Sequence, residues 1–328
     1  MDHASPPFSF HQRMSTSPRH IAVVRTDRLG DMVLTLPMFP ALRALYPEAR
    51  LTLIAARYVE PLVRRTDCVD SVIYLDGDDT DLATIFRREK IDTVFFPRPR
   101  FHEVWAALRA GVRRRIGSAY RWYSFLYNRR IREHRAEATH HEAEYNVRMI
   151  MHAFGCPMPA VNLVSPLEHR DRAGAPDRPR IIIHPGSGGS AHDWPAERFG
   201  VLAQRLREIH NAEILVTGIA TERVLCDIVL RQCPDAIDLC GRHDLAGMID
   251  LIAGADMLVA NSTGVLHVAA SLSIPVVGLF PSTPSMSKRR WGPYTQKAIV
   301  LESGPGDDMS AISVESAVVA VTELLRRP

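Results

Sequence analysis

The chain has 328 residues, 46% of them hydrophobic and 23% charged, with a formal net charge of +3. That apolar share excludes a disordered protein, and the length suits two packed cores, since single cores stop growing near ~250–300 residues. No apolar run approaches the roughly 18 residues that span a bilayer. The first 20 residues lack the apolar centre of a secretory signal, so a cytoplasmic protein is expected. The five cysteines (Cys68, Cys156, Cys226, Cys233, Cys240) form no C-x-x-C pair. A disulfide framework or zinc site is therefore not expected, and they read as small buried hydrophobes. Only Lys90, Lys288 and Lys297 among the 40 basic residues are lysines. Guanidinium forks suit phosphates and carboxylates, although genome base composition accounts for much of this bias.

Residues 1–18 read as a disordered tail. Order begins with the β-branched run Ile21–Val24, followed by Arg25-Thr-Asp-Arg-Leu-Gly-Asp31 and a helical pattern from Met32 to about Tyr46. Strands at Leu51–Ala55, Ser71–Leu75 and Thr93–Phe96 alternate with helices near Val59–Arg65 and Thr80–Arg88. After Phe101 the chain reads as helical and basic, with a helix over Ala136–Phe154 that stops at Gly155-Cys156-Pro157. The polar, Pro/Gly-rich stretch 166–179 is the best linker. The rhythm then restarts, with strands at Arg180–His184, Glu213–Thr217, Asp235–Leu239, Met257–Ala260 and Pro275–Leu279. Helices are expected at Ala196–His210, Glu222–Gln232, Leu245–Ala253, Gly264–Leu272 and Val314–Arg326. Short strands alternating with helices predict an α/β protein with two parallel, doubly wound halves, 19–165 and 180–328, and a ligand in the cleft between them.

Three loops carry chemistry. In the first, Gly30 allows a tight turn, and Asp31 sits near a helix N-terminus at the carboxyl edge of the sheet. It reads equally as an N-cap and as a base for an attacking hydroxyl. A helix N-terminus would lower its pKa and weaken it as a base. The second loop, His184-Pro-Gly-Ser-Gly-Gly-Ser190 with His192, exposes backbone N–H groups suited to phosphate oxygens, with Ser187 and Ser190 as added donors. Trp194 after it reads as core. In the third, Asn261 or Ser262 would cap a helix whose first turn holds Thr263 and Gly264 and offers its N–H groups to an anion. His267, one turn in, reads first as a packed core residue.

These blocks resemble the lipopolysaccharide heptosyltransferases, glycosyltransferase family nine. The likeness runs from about Ile21 to Pro328 through Leu29-Gly-Asp31, Leu36-Pro37, Pro185-Gly186, Trp194-Pro195, Phe199 and Gly218–Glu222. It continues through Thr263-Gly264, His267, Pro275–Phe280 and Trp291-Gly-Pro-Tyr294. The resemblance implies the GT-B fold, in which two Rossmann-like domains face a central cleft, with acceptor on residues 19–165 and donor on 180–328. It implies an inverting, metal-independent transferase with no cofactor beyond its nucleotide-sugar co-substrate, ADP-heptose. The acceptor would be a lipid-linked or lipopolysaccharide-core saccharide. Asp31 matches the proposed base. Ser187, Ser190, His192 and the N–H groups around Thr263 and Gly264 match the diphosphate site, while Ser262, at the position expected to touch the transferred sugar, and His267 belong to the same donor site. Glu222 matches the carboxylate that holds the ribose, and His243–Leu245 would border the adenine. Two departures stand out: many members carry lysine at His192 and aspartate at Ser262. Two other readings are a different nucleotide-sugar donor on the same fold, and a non-catalytic sugar-nucleotide or nucleic-acid binder. The intact Asp31, Glu222 and loops oppose the last, so no nucleic-acid partner is expected.

Between Arg109 and Arg135, arginines 113–115, 121, 129, 130, 132 and 135 interleave with Trp122, Tyr123, Phe125 and Tyr127. This stretch reads as a helix with an aromatic inner face, as a surface for the inner membrane's anionic headgroups or an acidic glycan, or, if its aromatics lie exposed for stacking, as a nucleic-acid surface. Arg57, Arg98 and Arg100 follow strands or open helices in the first half and are the expected contacts for acceptor carboxylates or phosphates.

Overall fold

β1 (His20–Arg25) is buried along its whole length, and its run of apolar residues suits a strand covered on both faces. In the computed structural model, which describes residues 17–76, 81–164, 167 and 178–327, it pairs in parallel with β2 (Arg50–Ala56) and β4 (Thr93–Phe95). With β3 (Ser71–Leu75), β5 (Arg114–Ser118) and β6 (Arg129–Ile131) it forms a six-stranded sheet in the order β3-β2-β1-β4-β5-β6. A second parallel sheet has the same wiring, β12-β11-β10-β7-β8-β9. Its strands are β7 (Arg180–His184), β8 (Glu213–Val216), β9 (Ile237–Asp238), β10 (Met257–Asn261), β11 (Val276–Phe280) and β12 (Ala298–Glu302). Chain order reverses between β1 and β4 and between β7 and β10. The loops leaving these four strands therefore open at switch points, where α/β sheets bind ligands.

Each sheet is packed on both faces. Ile21, Val23, Leu53 and Phe95 face the helices Met38–Leu45 and Glu142–Phe154, while Ala22, Val24, Val94 and Phe96 face Leu82–Arg88 and Phe101–Arg109. The first of these cores continues without a break into Ile182, Leu258, Leu266 and Ile249 of the second half. The two lobes thus share buried apolar surface behind the cleft.

Several expected elements change. The helix read over Met32–Tyr46 is two helices, Leu29–Val33 and Met38–Leu45. In one continuous helix, Pro37 and Pro40 would meet the carbonyls of Val33 and Leu36 and leave two bonds unmade. The helix read from Ala136 starts at Glu142, where His141 and Glu144 form a capping box; Ala138 upstream is left-handed at φ 49°. The basic stretch read as helical contains the helix Phe101–Arg109 and two strands, β5 and β6. Arginines on these outer strands hide the period-two pattern, and Gly117 makes room for the Tyr127 ring, 2.4 Å from where its Cβ would lie. β12 and the short helix Lys288–Trp291 had no clear sequence signal. Residues 1–16 of the expected tail and most of the expected linker, 166 and 168–177, lie outside the described residues.

Trp194 is fully buried, as expected, with its indole N–H donating to the Ile312 carbonyl at 2.9 Å. Cys226, Cys233 and Cys240 are buried free thiols, whereas Cys68 and Cys156 are half-buried.

Candidate active site

β1 ends on Arg25, whose guanidinium is 3% exposed and carries two carboxylates. Its Nε lies 2.7 Å from Asp27 Oδ1, and its Nη2 binds Asp31 Oδ1. Asp31 is the third residue of the helix Leu29–Val33. The N-cap is Arg28, without a side-chain cap bond, so the reading of Asp31 as a cap is wrong: its carboxylate is drawn sideways to Arg25. Burial is the largest influence on Asp31 and raises its pKa. Arg25 pulls the other way, while Asp27 and Glu142 add to the rise. The expected lowering by the helix end therefore loses to desolvation and neighbouring acids. A carboxylate kept available for protons suits a base.

Asp31 stands between two cavities. One, of about 760 Å³, is lined by the loops after β1 and β4, by Tyr120, Arg121 and Arg135, and by Arg290. The other, of about 200 Å³, lies between the lobes and is lined by Gly30, Ser190, Ser262, Thr263, Gly264 and His267. Arg28, Asp31 and Trp291 border both.

The smaller cavity is built by the loops after β7 and β10. Ser190 Oγ lies within hydrogen-bond distance of the carbonyls of Ser187 (2.6 Å) and Ser262 (2.8 Å), which brings the two loops together. Gly188 and Gly189 have φ of 57° and 70°, a turn that L-residues seldom adopt. The helix Gly264–Ser271 opens on Thr263, which forms no side-chain cap, and not on Asn261 or Ser262 as expected. Asn261 instead braces the loop from within: its Nδ2 donates to the Pro185 carbonyl at 2.7 Å, and its Oδ1 accepts the Trp194 N–H at 3.0 Å. His267 is buried against Gly30, and its Nδ1 has no hydrogen-bond partner among the described residues. Burial first and His141 second push its pKa down to about 3, so the imidazole is neutral.

The lobes are clamped beside this site. Glu142 of the first half binds Arg135 and, at 3.1 Å, Nε of Arg290 from the second half. Burial opposes ionisation of Glu142, but Arg135, Arg290 and Arg25 hold its pKa down at about 2. His141 Nε2 hydrogen-bonds the Gly292 carbonyl at 2.8 Å, and Arg289 donates to the Thr139 carbonyl at 3.0 Å.

The family model for glycosyltransferase family 9 (heptosyltransferase) matches residues 92–316. The chain belongs to this family. Lipopolysaccharide heptosyltransferase 2 of Escherichia coli K12 is 24% identical over 312 residues, 86% of this chain and 87% of its own. A Haemophilus influenzae protein named no more specifically than a glycosyltransferase is 25% identical over 93% of this chain and 96% of its own. Among solved structures, a family 9 glycosyl transferase from Veillonella parvula superposes with a TM-score of 0.80 at 20% identity, covering 94% of this chain and 97% of its own. Escherichia coli ADP-heptose lps heptosyltransferase II gives 0.78 at 24% identity, with 93% and 98% covered. The fold is the GT-B arrangement that the sequence led us to expect.

Against this glycosyltransferase fold, the expected site residues divide. Asp31, Ser190, Ser262, Thr263, Gly264 and His267 converge on the cavities. Ser187 is buried and spends its hydroxyl on the Ala191 carbonyl at 3.2 Å. Glu222 is buried beneath the loop after β7 and accepts the N–H groups of Gly188 and Ile219, both at 2.9 Å. A Cβ on Gly186 would lie 2.1 Å from the Glu222 carboxyl carbon, so any larger residue there would displace the Glu222 carboxylate. His192 and His243 are exposed and line neither cavity. Arg98 does line the larger one, 3.7 Å from Asp27. Arg57 does not: Asp76 and Glu60 hold it on the surface. Arg100 lines a separate cavity of about 770 Å³, also outside the Asp31 site. Sequence reasoning assigned no role to Arg25, Arg28, Glu142, Arg290 or Trp291. The signal for Arg25 was present, since a charged residue closing the buried apolar run Ile21–Val24 must meet a countercharge.

Proposed function

We propose that this enzyme transfers a heptose from ADP-heptose to a lipopolysaccharide-core-type saccharide, with inversion and without a metal. The supporting observation is the place of Asp31, a carboxylate of raised pKa that borders both cavities. The acceptor occupies the larger cavity, where Arg98, Arg121 and Arg135 suit an acidic saccharide. The nucleotide-sugar lies on the second lobe, with its diphosphate at the N–H groups that begin the helix at Gly264. The acceptor hydroxyl gives its proton to Asp31 as its oxygen bonds the anomeric carbon, and the nucleotide diphosphate leaves from the opposite face. Its growing charge meets fixed N–H dipoles and Arg28, which borders the smaller cavity. This gives Arg28 the part expected of His192, while neutral His267 supplies shape and no charge. Glu222 holds the phosphate loop in place through Gly188 and rearranges if it is to reach a ribose.

The test is product formation. Mass spectrometry of a heptose-deficient core acceptor incubated with ADP-heptose should show one added heptose, with UDP- and GDP-sugars inert. Ser262, in place of the acid common in the family, favours a second donor as the competing reading, and calorimetry separates the two. Tighter binding of a UDP-sugar than of ADP-heptose rejects the first.

A further inference from the structure

The helix Phe101–Arg109 is apolar on two sides. Its inner side buries Val104 and Ala107 in the core, as an amphipathic helix should. Its outer side carries Phe101, Trp105 and Leu108 at i, i+4 and i+7, all exposed. Two more large apolar side chains join them from the segment between β5 and β6: Trp122 is 75% exposed and Phe125 64%. Phe101 stacks on Trp105 with ring centroids 6.1 Å apart and on Trp122 at 5.3 Å, so the first three rings form one surface. Contiguous exposed patches of this kind mark interaction sites. Arg100, Arg109 and Arg121 border it, and none makes an ion pair among the described residues. The nearby carboxylate Asp81 is occupied as the cap of the helix Leu82–Arg88, accepting the Ala83 N–H at 3.1 Å.

We infer that this patch docks the enzyme on an anionic lipid bilayer. Tryptophan and phenylalanine partition into the headgroup boundary, and arginines beside them gain from the negative surface potential. A nucleic-acid surface would present free ring faces for bases. Here Phe101 stacks on two tryptophans instead of standing free, and Leu108 is aliphatic, with no ring for a base to stack on. Arg98 and Pro99 line both the cavity under the patch and the cavity at Asp31. Docking by this face therefore turns the acceptor cavity toward the membrane; that orientation rests on the acceptor reading above, whereas bilayer binding does not.

The test is flotation of the full chain with phosphatidylcholine vesicles, with and without phosphatidylglycerol. Binding should require phosphatidylglycerol, weaken with salt and blue-shift the tryptophan emission. Arg109→Glu should cost about fivefold or more in affinity, and Trp122→Ser with Phe125→Ser at least as much. Far-UV circular dichroism and turnover on a delipidated, water-soluble acceptor should stay unchanged. If the double variant unfolds, Arg109→Glu carries the test. The inference is overturned if phosphatidylglycerol vesicles do not bind, if the variants bind like the parent, or if a single-stranded oligonucleotide strips the protein from vesicles. Failure of sugar transfer would leave the vesicle result standing, so the two proposals fail separately.

Discussion

Gly30 of the first lobe and Gly264 of the second lie backbone against backbone. A Cβ on Gly264 would sit 3.1 Å from the Gly30 amide nitrogen and 2.9 Å from Leu29 Cβ. One on Gly30 would sit 2.7 Å from Cδ2 of His267. This contact sets the spacing between Asp31, one residue beyond Gly30, and the helix start proposed to hold the donor.

Gly264→Ala should therefore force the lobes apart, because the atoms it meets belong to backbone and Cβ and cannot swing aside. We expect turnover to fall about 100-fold, as for a misplacement near 1 Å, with unfolding by urea little changed. Steady-state kinetics beside a urea titration checks this. Full turnover would show that closure tolerates a methyl group at the seam.

Asp31→Ala should lower turnover by ~10²–10⁴-fold. In the parent enzyme, activity should fall as pH drops through a value above the ordinary 3.8 of an aspartate, since burial raises its pKa and a protonated base is idle. Arg25 stabilises the ionised form, so Arg25→Met should move this acid limb to higher pH. A pH–rate profile of both proteins decides the matter. An unmoved limb would assign it to another group.

Arg98→Ala should raise the acceptor KM by roughly 10-fold or more, the cost of one charge-assisted contact. Arg57→Ala should leave it within about twofold, because an exposed ion pair that does not line the cavity contributes little to binding. Arg57 is held by Asp76 on the surface. Acceptor titrations of the two variants would expose an error in either placement.

Glu103 is buried under Thr26, whose hydroxyl donates to it at 3.1 Å, and desolvation lifts its pKa from 4.5 to about 7. Between these values the native state keeps a proton that the unfolded chain has lost. Stability is then full below pH 4.5 and declines as pH rises toward 7, by about 3 kcal/mol if the whole shift is realised. Glu103→Gln should be the more stable protein at pH 8 and should lose this slope. Urea unfolding at pH 5 and pH 8 measures it, and parallel behaviour of the two proteins would deny Glu103 the effect.

Much of the fold was legible. Runs such as Ile21–Val24 and Ile181–Ile183 are buried on both faces, so their composition alone marks parallel strands. The loops at Gly30, Gly188–Gly189 and Gly264 announce themselves through residues that tolerate close approach or positive φ. β5 and β6 were illegible because outer strands with arginines at 114, 115, 129 and 130 leave water-facing positions that erase the alternation. The break after Val33 was written in Pro37 and Pro40, yet a strong apolar period concealed it.

The sequence by itself determined the two wound halves, the loops with bare amides and the position of Asp31, because strand burial, turns and helix starts depend on neighbours within a few residues. Only the tertiary structure decided that Asp31 answers to Arg25, that Glu142 and Arg290 clasp the lobes, and that Arg57 is spent on Asp76. Glu142 and Arg290 meet across nearly 150 positions of chain. A charge's partner and its proton affinity depend on what packs around it, and packing brings together residues whose distance along the chain carries no trace of the encounter.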